Sequence, residues 1–127
     1  MTKAIEVSAG TNGIAQFCFA YASIASVCGV SLGMFMGIAH DFTLVPVHAH
    51  INLIGWVSMF VFGAYYRLHP HLAGRLAKLQ IALVSIGLPA SFGTLAITLT
   101  SGDDTLLPVI IAGSVMVLTG FAIFCGI

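Results

Sequence analysis

The stretch PVHAHINLIGWVSMFVFGAYYRLHP, residues 46–70, reads as a membrane-crossing helix that carries His48, His50 and Asn52 in its opening turns. Its apolar part, residues 46–66, matches the roughly 20 residues that cross a bilayer as helix. Pro46 suits a first helical turn, because the N–H it lacks would have had no intrahelical partner. Polar side chains inside such a span are costly, so an ionisable one reads as functional by default.

Three further apolar runs flank it, and the 127-residue chain is 59% hydrophobic with only 6% charged residues, against about 25% charged in an ordinary soluble domain. The sequence therefore predicts an all-α integral membrane protein: one domain, 1–127, forming a four-helix transmembrane bundle with spans at about 14–39, 46–66, 76–98 and 106–127. The loops leave no room for a soluble domain, and a net charge of zero makes no case for nucleic acid as a partner. The lipid bilayer is the expected partner. The first apolar run is longer than the roughly 7–15 residues of a cleavable signal core, so it is expected to stay. Arg67, Arg75 and Lys78 flank the second loop, whereas Asp41, Asp103 and Asp104 lie in the other two. By the positive-inside rule the 67–78 loop and both termini are cytoplasmic, with Lys3 on the same side, and the histidine pair lies toward the outer face. Cys18, Cys28 and Cys125 show no metal spacing and read as small apolar fillers.

In the first span Ala25, Gly29, Gly33 and Gly37 recur every four residues and form one smooth stripe. Such a stripe admits another helix, or the edge of a flat prosthetic group. Met36 and His40 are also four apart and are expected to share a face at the outer end. In the second span His48 and His50 point about 200° apart at 100° per residue, so they serve different neighbours and cannot hold one metal from one face. The His48 face continues through Asn52, Gly55, Met59 and Gly63, and the His50 face through Leu53, Ile54, Val57 and Val61. His69 and His71 fall in the loop and read as ordinary loop residues. Neutral imidazole ligates haem iron or copper without adding charge to the membrane.

The pattern H-x-H-x(4)-G-W-x(5)-F-G-x-x-Y, from His48 to Tyr66 and followed by a proline, resembles the tenth helix of haem–copper oxidase subunit I, most closely the cbb3 type. Aligned through His50, Leu53, Trp56 and Tyr66, it is similar more loosely to that family's second helix. The resemblance implies that His48 and His50 correspond to the ligands of the high-spin and low-spin haem. It places Gly55 and Trp56 beside a haem, and the small-residue stripe of the first span offers Gly33 as a further contact for such a flat group. Subunit I has twelve helices in three pseudo-equivalent groups of four, so the resemblance further implies a homo-oligomer, a homotrimer rather than a dimer, in a bacterial inner membrane. The family's copper-site histidine with its Pro-Glu, and its His-His pair, do not occur here, so oxygen reduction at a haem–copper centre is not implied. No C-x-x-C-H is present for covalent haem attachment.

Three readings follow. The first is a b-type haem protein with His50 as axial ligand and His48 as the second ligand, donated by a neighbouring copy, serving electron transfer with an undetermined redox partner or diatomic gas binding. The second is a copper-binding protein using Met34, Met36, His40, His48 and His50, since thioether with imidazole suits Cu(I). The third is a metal-free structural or assembly subunit.

Overall fold

The computed structural model describes residues 13–127, together with the helical backbone that leads into them from Thr2. Lys3 lies outside the residues whose side chains are described. Four helices are long and apolar enough to cross a membrane: α1 (Gly13–Ala39), α2 (Val45–Leu68), α3 (Arg75–Ser101) and α4 (Asp104–Gly126). Among the described residues there is no strand. Large apolar side chains such as Ile24, Ile38, Leu53, Phe60 and Leu118 are exposed on the outside of the bundle, as they must be where the solvent is acyl chain. The chain is an integral membrane protein.

The helix ends have local causes. Residue 102 is glycine; its left-handed φ of +72° closes α3 after Ser101, and its amide donates to the Thr98 carbonyl at 2.9 Å. His40 closes α1 in the same way: its φ is +52°, and the Asp41 amide donates back to the Met36 carbonyl at 3.2 Å. The expected common face of Met36 and His40 is thereby lost, because His40 stands past the last helical residue, Ala39. Before α2, the Thr43 hydroxyl and amide both donate to the Asp41 carboxylate, at 2.6 and 3.0 Å. These bonds, the hydroxyl's first, hold the Asp41 carboxyl below its ordinary range.

α1 packs along α2 through small residues. A Cβ at Gly63 would sit 3.0 Å from Cys18 Cβ, and one at Gly55 would sit 2.9 Å from Ala25 Cβ. α3 and α4 cross more closely still: a Cβ on Gly113 would lie 2.6 Å from the Ser91 amide nitrogen and 2.8 Å from the Gly87 carbonyl oxygen. Small residues at such crossings are the usual means by which helices associate in lipid, where no hydrophobic force drives them together. The buried core gathers toward the end that carries the 67–78 loop. There Ile14, Cys18, Met59, Phe62, Ile81 and Val84 meet, and the buried Tyr66 hydroxyl donates to Gln80 Oε1 at 3.0 Å.

Two of the four spans widen in their interior. α2 widens to π-helix over Ile51–Ser58, and α3 does so over Pro89–Gly93. In α2, side chains occupy carbonyls of the helical ladder: the Asn52 amide donates to the His48 carbonyl at 2.8 Å, and Ser58 Oγ to the Leu53 carbonyl at 2.8 Å. Insertions of this kind open a helix locally. In α3 the cause is Pro89, which has no N–H and leaves the carbonyl four residues earlier, on Ser85, without its helical donor. Tyr21 of α1 fills that vacancy, its hydroxyl donating to the Ser85 carbonyl at 3.0 Å.

Candidate functional site: two histidines on opposite sides of one helix

His48 faces α1. Its Nδ1 lies 2.8 Å from the Gly29 carbonyl oxygen, and its ring sits over Gly33, where a Cβ would be 2.7 Å from His48 Cε1. Asn52, one turn on, fills the space over Gly29, where a Cβ would be 2.5 Å from Asn52 Oδ1. The small stripe of α1 is thus occupied, over Gly29 and Gly33, by polar side chains of the same chain. Beside Gly37 nothing approaches. Asn52 Nδ2 also lies 3.3 Å from His48 Nδ1. One ring nitrogen cannot both donate to a carbonyl and accept from an amide. The shorter contact, to an atom that can only accept, decides that Nδ1 carries the proton. One of the two Asn52 amide hydrogens goes to the His48 carbonyl.

His50 faces the other way. Its Nδ1 donates to the Pro46 carbonyl at 2.7 Å, and its ring stacks on Phe92 of α3 with centroids 4.1 Å apart and planes at 18°. It lines a groove of about 500 Å³ between α2, α3 and α4, with Leu53, Ile54, Ser58, Phe92 and Phe121 among its walls. Both imidazoles therefore carry their proton on Nδ1 when neutral, held by a backbone carbonyl. Nε2 is then the lone-pair nitrogen, and it makes no hydrogen bond among the described residues.

The groove corrects the expected His50 face. A continuous α-helix would put Val57 and Val61 below His50, but both point outward at 47% and 50% exposure. The π segment adds a residue per turn, so Ser58 takes the place expected for Val57. Of the other candidate residues, Gly55 is pinned between Ala25 and Leu88, Gly33 lies under His48, and Trp56 is 41% exposed. None of the three lines the His50 groove. Of the Met/His set of the copper reading, Met36 is buried at 4%, Met34 is 63% exposed and His40 stands past the end of α1. Among the described residues no three His, Cys, Asp or Glu side chains come together as a metal cage.

Phe92 of α3 and Ser114, Val117, Leu118 and Phe121 of α4, with Ser58 of α2, are groove residues that the motif did not indicate. The signal for Phe92 was Pro89, an internal proline that marks where α3 must deform. The residues present fit a planar group held by a single imidazole per chain: one lone-pair nitrogen, a ring fixed on both its edge and its face, and apolar walls. They do not fit a group held by both histidines of one chain. The Ser58 and Ser114 hydroxyls spend their protons on the Leu53 and Ile110 carbonyls, so they offer the groove acceptors rather than donors. Comparison of the chain with protein-family models, with curated proteins and with solved structures finds no match.

Proposed function

We propose that this chain is a membrane-embedded b-type haem protein in which His50 is the axial ligand. The observation that carries the reading is the state of the His50 ring: Nδ1–H bound to the Pro46 carbonyl, one face on Phe92, and Nε2 free beside an apolar groove. A carbonyl on Nδ1 fixes the tautomer and raises the basicity of the ligating nitrogen, as partners behind metal-bound histidines do. Phe92 fixes the ring plane. Leu53, Ile54 and Phe121 keep water from the ligand. Haem so bound supplies a one-electron couple or, where one axial position stays open, a site for a diatomic gas.

The His48 interaction with Gly29 favours His48 as the residue that locks α2 to α1. A second imidazole for the same iron would then come from another copy. The open side of the His50 groove and the resemblance to a three-fold arrangement of four-helix units favour a homotrimer, and native mass spectrometry in detergent reads the copy number directly. The charge distribution supports the 67–78 loop lying inside, and the resemblance favours a bacterial inner membrane. Cysteines introduced at Asp104 and Gly74, in a background without native cysteines, test this: only the first should label from outside intact cells.

The decisive experiment is the reduced-minus-oxidised absorption spectrum of protein purified from haem-replete cells. A Soret band and b-type haem are expected in the native protein and lost in His50→Ala. A native protein without haem would favour the metal-free structural reading, and stoichiometric copper would favour the second. Haem retained in full by His50→Ala would remove the ligand assignment.

A further inference from the structure

At the other end of the bundle, below the Tyr21–Ser85 hydrogen bond, a groove of about 560 Å³ runs along the outside of the α1–α3 contact. Ile14, Phe17, Ile81, Ala82 and Ile86 wall it, and Lys78 is the charged residue among those that line it. Its upper limit has a covalent origin. Pro89 frees the Ser85 carbonyl, and Tyr21 reaches across to it, which ties the two helices together at that level. Gly13 and Ala82 are too small to fill the gap.

The dimensions are those of part of a lipid leaflet. From Lys78 to Ser85 the helix rises about 10 Å, within the ~15 Å hydrocarbon depth that is half of a ~30 Å bilayer core. Lys78 begins one turn into α3, beside Arg75. A lysine in that place lays its stem along the apolar wall and presents its ammonium at headgroup level. The 67–78 loop contains Arg67, Arg75 and Lys78 and no acidic residue.

We propose that the α1–α3 groove is a binding site for an anionic phospholipid, with one acyl chain against Phe17, Ile81 and Ala82 and the phosphate at Lys78. An apolar groove open to the bilayer is filled by acyl chain, because a void would forfeit the dispersion contacts of its walls. The cation selects the headgroup. A zwitterionic lipid brings its own positive group to Lys78 and Arg75, whereas an anionic one keeps a net negative charge for them.

The test is a native mass spectrometry titration of delipidated protein in neutral detergent, with phosphatidylglycerol and phosphatidylcholine of identical chains. The native protein should prefer phosphatidylglycerol by at least about fivefold, the effect of one basic residue at a membrane surface. Lys78→Gln should remove that preference, and Ala82→Phe, which fills the groove, should weaken both lipids. Equal binding of the two lipids by the native protein, or an unchanged preference in Lys78→Gln, would overturn the proposal. So would phosphatidylglycerol binding that Ala82→Phe leaves intact, since the lipid would then sit on the basic loop alone. Lys78 and Ala82 are both exposed, and helical circular dichroism of each variant verifies that it folds.

Discussion

The seam between α1 and α2 and the groove behind His50 are built from neighbouring residues of one helix, yet they solve opposite problems. In the seam, His48 and Asn52 lie over Gly33 and Gly29 with no room for a single added carbon, and His48 spends its proton on a carbonyl of the other helix. In the groove, His50 spends its proton on its own helix, at Pro46, and its ring meets α3 by stacking rather than by hydrogen bonding. The same side chain type thus fastens two helices in one place and lines an apolar groove in the other. What separates them is which carbonyl is in reach of Nδ1: a partner helix's carbonyl makes a crosslink, and the helix's own carbonyl only sets the ring.

The comparison breaks most readily at Gly33. Gly33→Leu forces a side chain into the His48 ring, and its cost is expected at about 3 kcal/mol, the upper end for overpacking. The measure is thermal unfolding in detergent followed by circular dichroism. A variant that melts like the native protein would show that His48 does not sit over Gly33. His48→Ala comes next, at about 1–3 kcal/mol, from an interhelical hydrogen bond and the cavity left above the glycine. If His48 serves mainly as the crosslink, this variant keeps its haem when assayed in mild detergent at low temperature. Loss of haem from a still-folded protein would instead assign His48 to the iron.

His50→Ala is the counterpart. Compared on haem-free protein, its stability cost is expected to be about 1 kcal/mol or less, mostly lost stacking on Phe92, while the proposed ligand role requires the haem signal of haem-replete protein to disappear. A melting change as large as that of His48→Ala would erase the distinction between the two histidines. Smallest of all is Gly37→Ala, at the free end of the same stripe. Nothing lies within 4 Å of the added carbon, so unfolding should change by no more than about 0.5 kcal/mol. A large loss there would mean that the end of the stripe meets another copy.

The sequence by itself determined that four helices cross the membrane, since run length and composition are local quantities and the bilayer sets the length they must match. It also determined that His48 and His50 point to different sides, because residues i and i+2 of a helix are about 200° apart wherever the helix lies. Composition and motif could not say which neighbour each would meet. That Gly29 and Gly33 receive Asn52 and His48 depends on how two helices interlock, and either partner or a second chain would satisfy the same stripe. That Ser58 replaces Val57 beneath His50 depends on side chains entering the backbone ladder of α2. Phe92 came to the site because Pro89 deforms α3 at the depth of His50. Tyr21 found its acceptor for the same reason, on the carbonyl that Pro89 left free. Periodicity is a property of one helix, and these contacts are properties of pairs, fixed only when the helices dock and each unsatisfied backbone group in a medium without water has found a partner.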